Sequence, residues 1–340
     1  MNEKKDNSTF IIAEVSSNHG QNFERAVESI KVAKECGADA VKFQTYTPDS
    51  MTIDVDNEYF RINHKHWGGQ TLYNLYKNAY TPWEWFKSLK KIADDIGIQM
   101  LSTSFDKKAV DLLEDLNVPR HKIASFELVD LSLIEYVAKT RKPLIMSTGM
   151  ASVSEIEEAV DVAKKAGAED ITLLKCISSY PARPDDMNLK TIPHMKELFD
   201  CAVGLSDHTL GIGVSLASIT LGATVIEKHF TLSRKINTPD SFFSIEPQEL
   251  MDLVKNVKVI EKAIGKVQYG ITNEEYSSKI FRRSLFIIKD MKKGDFINED
   301  NVRSIRPSNG LLPKHFAKII GRKAKQNITR GTPLNWELIE

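Results

Sequence analysis

The strongest constraint in this 340-residue chain is an alternation that runs through most of its length. Short apolar, β-branched runs end in polar residues, and amphipathic stretches separate them. The runs predict strands over 10–15, 40–44, 99–103, 122–125, 144–147, 171–175, 202–206 and 225–229. Helical periodicity predicts helices over 23–36, 81–96, 131–139, 153–166, 211–221 and 247–264. The first helix carries Ala26, Ile30 and Ala33 on one face. Ser154 followed by Glu157 has the spacing of a capping box near the start of 153–166. Gly97 and Gly167 stand where helices stop.

Eight strand–helix units in roughly 260 residues match the usual size of a (β/α)8 TIM barrel. The structural rival is an open doubly wound sheet, which asks for a Gly-rich phosphate turn after its first strand. Here Ser16-Ser17-Asn18-His19-Gly20 follows instead. Residues 57–80 form a long insertion after the second strand, with His64, His66, Trp67, Tyr73, Tyr76 and Tyr80. It reads either as a functional loop or as a flap with its own aromatic packing. The pattern changes after Ile264, and short β-like pieces with turn residues begin at Ser284. The expected organisation is a catalytic barrel over 1–268, a linker over 269–282 and a small β-rich domain over 283–340.

Lys plus Arg number 46, as do Asp plus Glu, so the chain has no electrostatic footprint for nucleic acid or an anionic membrane. No apolar run approaches membrane-spanning length, and residues 1–9 lack the apolar core of a secretory signal. Cys36, Cys176 and Cys201 show no paired spacing, which argues for reduced thiols and a cytoplasmic protein.

Barrel enzymes carry their chemistry at the C-terminal ends of the strands. Those ends hold Glu14, Lys42, Gln44, Thr103, Lys122, Ser125, Glu127, Ser147, Lys175, Tyr180, Ser206, Asp207, His208, Glu227 and His229. Buried charges of this number without a partner cost several kcal/mol or shift their pKa, so the ring implies a charged ligand. Two lysines with hydroxyls and Gly-rich turns suit a phosphate or carboxylate. His208 and His229 end consecutive predicted strands and suit a divalent transition metal, although a structural role is as consistent with the spacing alone. Glu14 and Glu127 suit general acid–base work or the holding of sugar hydroxyls, and equally ion pairing with Lys42 and Lys122. A Schiff-base aldolase with Lys122 or Lys175 as its amine is the rival enzyme class.

An ordered set of motifs carries the argument further. They stand as Ile12-Ala13-Glu14, Val41-Lys42-Phe43-Gln44, Lys122-Ile123-Ala124-Ser125-Phe126-Glu127, Ser147-Thr148-Gly149-Met150 and Ser178-Ser179-Tyr180-Pro181. Gly204-Leu205-Ser206-Asp207-His208-Thr209, Glu227-Lys228-His229-Phe230-Thr231, Pro239-Asp240 and Arg306-Pro307-Ser308-Asn309-Gly310 follow. In this order they resemble the sialic acid synthase family over nearly the whole chain. The resemblance implies a barrel plus a C-terminal antifreeze-like (SAF) domain. It also implies a homodimer in which each small domain is swapped over the partner's barrel mouth. His208 and His229 would hold a divalent metal, Mn²⁺ first, with Co²⁺ or Mg²⁺ as alternatives. Lys42, Thr103, Lys122, Ser125, Ser147 and Ser206 would hold phosphoenolpyruvate. Gln44, Tyr180 and Asp240 would face an acetamido sugar, and Arg306 of the partner would reach an N-acetyl carbonyl. Ser178 departs from the Asn often found there, which puts its sugar contact in doubt. Trp67-Gly68-Gly69-Gln70 and Pro239-Asp240-Ser241-Phe242-Phe243-Ser244 resemble the pseudaminic acid branch, with Phe242 and Phe243 as an apolar wall suited to a 6-deoxy sugar.

Overall fold

Eight parallel strands close on themselves in chain order in the computed structural model, which describes residues 8–63 and 67–340. His64 and His66 lie outside the described residues. The strands are β1 (Phe10–Glu14), β2 (Ala40–Thr45), β3 (Gln99–Ser104), β4 (His121–Ile123), β5 (Leu144–Ser147), β6 (Ile171–Cys176), β7 (Ala202–Asp207) and β8 (Val225–His229). β1 pairs with both β2 and β8, which completes the ring and leaves no open edge. The helices of this unit are α1 (Phe23–Glu35), α2 (Pro48–Met51), α3 (Leu72–Ala79), α4 (Phe86–Ile96), α5 (Lys107–Asp115), α6 (Leu131–Ala138), α7 (Val153–Ala166), α8 (Thr191–Phe199), α9 (Gly213–Thr220) and α10 (Pro247–Ile264).

Several expected boundaries move, each for a local reason. α7 begins one residue after Ser152, so the capping box is Ser152 with Glu155, not Ser154 with Glu157. β4 stops at Ile123, because the amides of Glu127 and Leu128 bond back to the carbonyls of Ala124 and Ser125 and wind Ser125–Glu127 into a 3₁₀ turn. The expected helix over 81–96 starts as a 3₁₀ turn, Trp83–Trp85, and becomes α4 only at Phe86. α5 and α8 escape the apolar periodicity. α5 is nonetheless announced by Asp106, whose carboxylate caps the amide of Ala109; α8 has no side-chain cap and carries Pro193 in its first turn.

Alternate residues of each strand face the barrel interior. Ile12, Ala40, Leu101, Ile145, Leu174 and Val225 form a separate apolar cluster there. The opposite faces of the strands, among them Ile11, Ala13, Val41, Met100, Leu173 and Leu205, pack with the surrounding helices in the larger core. Two residues beyond the apolar level stand Glu14, Lys42, Thr103, Ser147, Cys176 and Glu227, so the barrel changes from apolar to polar within one step along each strand. β7 enters the apolar level with Gly204. A Cβ at that position would lie 2.3 Å from the Val225 carbonyl oxygen and 2.6 Å from Leu174 Cδ2.

Contacts divide the chain into two units, with the break at Gly265–Lys266. In the second unit, β9 (Ser284–Ile287) pairs antiparallel with β10 (Val302–Ile305), and α11 (Phe316–Ile319) follows. Leu285, Ile287, Met291, Ile297, Val302 and Leu334 belong to its own small core.

Gly204→Ala is expected to lower stability by about 1–3 kcal/mol, because the neighbours that must yield include backbone. Gly213→Ala, with nothing within 4 Å of the added carbon, is the control and should be neutral or stabilising. Thermal denaturation of both variants tests the close approach at Gly204; equal midpoints would contradict it.

Candidate active site

The polar level of the barrel is a connected network. Lys42 comes from the middle of β2, and its Nζ lies 2.7 Å from Glu14 Oε2 and donates to Thr103 Oγ1 at 2.8 Å. Lys122 donates to Ser147 Oγ at 2.7 Å and to the Ile123 carbonyl at 2.9 Å. Glu227 Oε1 lies between the two ammonium groups, 3.8 Å from Lys42 and 4.0 Å from Lys122, and accepts from Ser206 Oγ at 3.3 Å. Spacing alone undervalued Glu227. The two-residue step from Val225, which points inward in the apolar cluster, is the signal that would have marked it.

The electrostatics follow from burial and these contacts. Burial raises the Glu14 carboxyl to about 7, against the attraction of Lys42. Burial works against charge on Lys42 as well, but Glu14 and Glu227 outweigh it and hold its ammonium above the usual lysine range. Lys122 has no carboxylate in direct contact, and burial pulls it below that range. On Glu227, burial is outweighed by Lys122 and Lys42, so its carboxylate stays ionised. Glu127 stands apart from this network, and burial raises its carboxyl to about 7 despite Lys122.

Above this level, Gln44 donates to Glu14 Oε1 at 3.0 Å and to Ser16 Oγ at 2.8 Å. Ser16 is held at φ 49°, a conformation disfavoured for a residue with a side chain. Its hydroxyl donates to Asp240 Oδ2 at 2.6 Å, and Ser17 Oγ donates to the same oxygen at 2.7 Å. Asp240 thus ties the loop after β8 to the loop after β1. On the opposite side, Ser125 Oγ accepts from the Gly149 amide at 3.0 Å. A Cβ on Gly149 would lie 2.3 Å from Ser178 Oγ and 2.8 Å from Ser125 Oγ, so only glycine lets these hydroxyls converge.

His208 and His229 stand with ring centroids 5.3 Å apart. His208 Nδ1 lies 2.8 Å from the Ile177 carbonyl, which can only accept, so Nδ1 carries the proton and Nε2 is the atom left for a metal; burial works against charge on the ring, but Cys176 and the Ile177 carbonyl outweigh it and raise His208 above the usual histidine range. Burial, then the charges of His208 and Lys42, holds His229 well below the usual histidine range, and its buried Nδ1 has no hydrogen-bond partner. His229 held neutral, and a His208 that gives up its Nε2 proton in exchange for a metal, would suit a divalent cation. Among the described residues no group of three or more His, Cys, Asp or Glu side chains gathers for a metal, so two imidazoles would leave positions open to substrate oxygens. Cys176, absent from the expected site, lies 3.8 Å from His208 Nδ1.

Aromatic rings enclose the imidazoles. Tyr180 stands 4.4 Å from His208 and 5.6 Å from Trp67 between centroids. Trp67 donates to the Pro239 carbonyl at 2.9 Å, which fastens the insertion to the loop after β8. Phe243, expected in a sugar-facing wall, is only 2 % exposed and packs on His229 at 4.7 Å. It backs the imidazoles, and Phe242 is the more exposed member of the pair. The barrel therefore brings together Glu14, Lys42, Gln44, Thr103, Lys122, Ser125, Ser147, Ser178, Tyr180, Ser206, Glu227, His208, His229 and Asp240, with Glu127 beside them. Arg306 belongs to the second unit, immediately after β10.

Comparison with known proteins adds to this geometry. Residues 29–269 match the NeuB family model and residues 282–340 match the SAF domain model. A pseudaminic acid synthase of Helicobacter pylori is 42% identical over 331 residues, covering 97% of this chain and 97% of that protein. One from Campylobacter jejuni is 42% identical over 333 residues, covering 98% of this chain and 97% of its own length. A crystal structure of the N-acetylneuraminic acid (sialic acid) synthetase from Leptospira borgpetersenii aligns with a TM-score of 0.72 at 33% identity, covering 80% of this chain and 90% of that one. With a matched barrel, a matched C-terminal domain and identity at this level along nearly its whole length, the chain belongs to the NeuB family.

Proposed function

We propose that this chain condenses phosphoenolpyruvate with 2,4-diacetamido-2,4,6-trideoxy-β-L-altropyranose and water to give pseudaminic acid and phosphate. The observation that carries this reading is the stacking of two chemistries in one barrel. Two buried ammonium groups with hydroxyl donors stand on the polar level next to the apolar layer, and a pair of imidazoles lies toward the mouth within an aromatic enclosure. The pseudaminic acid synthases at 42% identity support the choice of sugar.

In this reading Lys42 and Lys122, with Thr103, Ser125, Ser147 and Ser206, bind the phosphate and carboxylate and stabilise their charge as the reaction proceeds. Gln44, Tyr180, Ser178 and Asp240 orient the sugar. A divalent cation, Mn²⁺ first, on His208 and His229 supplies Lewis-acid polarisation of the sugar aldehyde when bound. Carbon 3 of phosphoenolpyruvate bonds to the aldehyde carbon, whose oxygen takes a proton and becomes a hydroxyl. Water adds at carbon 2 and gives up one proton; the carbon–oxygen bond to phosphate then breaks, phosphate leaves with the enol ester oxygen and the remaining water proton, and carbon 2 becomes the carbonyl of the 2-oxo acid. Glu14 and Glu127, both raised to about 7, can give or take a proton at neutral pH. The sugar's 6-methyl group is placed against the apolar side formed by Phe242. The active form is a homodimer in which Arg306 of one chain serves its partner's site and binds the N-acetyl carbonyl.

Mass spectrometry of products from phosphoenolpyruvate and a panel of acetamido sugars tests the reaction. The diacetamido trideoxy-altrose should be converted fastest and N-acetylmannosamine poorly. Preference for a legionaminate or neuraminate precursor would replace the assigned sugar. A pyruvate adduct trapped by borohydride on Lys122 or Lys175 would replace the chemistry. Removal of divalent metal should abolish turnover, with Mn²⁺ or Co²⁺ restoring it.

Arg306→Ala should raise the sugar KM roughly 10-fold or more, the scale of one charged hydrogen bond, with a much smaller change for phosphoenolpyruvate. The reverse pattern would remove its assigned role. The Glu127 carboxyl titrates in the fold at about 7, above its ordinary 4.5, so the fold favours the protonated form. The cost of ionising it is absent below the unfolded value, grows between the two values and is complete above about 7. Glu127→Gln should therefore raise the thermal midpoint more at pH 8 than at pH 5, while cutting kcat about 10²-fold or more if Glu127 moves a proton. An equal gain at both pH values would contradict the raised carboxyl.

A further inference from the structure

The outer faces of β7 and β8 carry an ion pair that the chemistry above does not use. Asp207 and Lys228 are partners in the β7–β8 ladder, and each immediately precedes one of the two imidazoles. Side chains alternate across a strand, so the pair lies on the face opposite His208 and His229. Lys228 Nζ stands 2.9 Å from Asp207 Oδ2 and donates to the Thr209 carbonyl at 2.7 Å. Asp207 Oδ1 accepts from the Thr209 amide at 2.9 Å and hydroxyl at 2.7 Å, and Oδ2 accepts from Ser215 Oγ at 2.5 Å. Both side chains are almost completely buried.

A buried ion pair contributes little net stability compared with apolar packing, and its best-attested use is to fix registry. The position here gives registry a purpose. Asp207–Lys228 is the last paired rung of the β7–β8 ladder, and His208 lies past the end of β7. His229 is still held by its pairing with Glu14 of β1, whereas His208, past the end of β7, is held on one side by the loop after β6, through the Ala182 amide at its carbonyl and the Ile177 carbonyl at its Nδ1, and on the other by the turn that follows β7. The pair fastens that turn, through Thr209, to β8, and joins it through Ser215 to α9. We propose that Asp207 and Lys228 are positioning residues that set the separation and orientation of His208 and His229 for a divalent cation. This inference rests on the metal reading given under the proposed function.

The test is Mn²⁺ affinity measured by electron paramagnetic resonance, alongside thermal shift with phosphoenolpyruvate alone. The informative variant is the double substitution Asp207→Asn with Lys228→Met, which removes both buried charges and leaves neither unpaired. Its Mn²⁺ affinity should fall about 10- to 100-fold, the usual cost of losing support behind a metal ligand, with phosphoenolpyruvate binding nearly unchanged. Ser215→Ala, a milder change, should weaken Mn²⁺ several-fold and fold normally. Wild-type Mn²⁺ affinity and line shape in both variants would overturn the inference. So would parallel loss of Mn²⁺ and phosphoenolpyruvate binding, which marks a general scaffold role. Wild-type protein that binds no Mn²⁺ would instead overturn the metal reading, and this inference with it.

Discussion

Two ammonium groups buried inside a closed barrel must find compensation there, and the rest of the site is arranged around that requirement. Lys42 has Glu14 in contact, Lys122 has only neutral acceptors, and Glu227 sits between them with one oxygen turned to both. An incompletely compensated cation in low dielectric is costly to the free protein and attractive to an anion. The hydroxyls of Thr103, Ser147 and Ser206 are already bonded to members of this network. Their directions are therefore fixed before any ligand arrives, which is what electrostatic preorganisation requires.

Much of this was legible in the sequence because strands have a short, rigid period. A lysine in the middle of Ala40-Val41-Lys42-Phe43-Gln44 cannot reach solvent by bending around a barrel, so its burial followed from its position. The eight strands and the imidazoles at the ends of the last two came from the same reasoning. Glu227 and Cys176 carry a weaker sequence signal. Their level in the barrel depends on the register between neighbouring strands, which the ladder fixes and a single strand's pattern does not. Ser16 gave even less signal, since nothing in its neighbours announces a left-handed serine. The chemistry of Phe243 suits a sugar-facing wall, yet its packing places it against His229. The capping box moved by two residues because Ser and Glu recur at the start of α7, and only the backbone chooses between them.

The loops complete what the strands begin. Asp240 and Trp67 both fasten neighbouring loops at the mouth, one through the serines after β1 and the other through the Pro239 carbonyl. The imidazoles accordingly have support from several directions: Tyr180 and Phe243 against their rings, the Ile177 carbonyl at His208 Nδ1, and the Asp207–Lys228 pair on the far side of the strands. Opposite faces of the same two strands thus differ, one carrying the imidazoles and the other the buried ion pair.

The apolar disc formed by Ile12, Ala40, Leu101, Ile145, Leu174 and Val225 has a consequence for where a ligand can rest. It fills the barrel interior beneath the polar level and gives that level a floor. For the proposed pair of reactants the layer sets a depth: an enol phosphate held by Lys42 and Lys122 has packed side chains beneath it and cannot sink further along the axis.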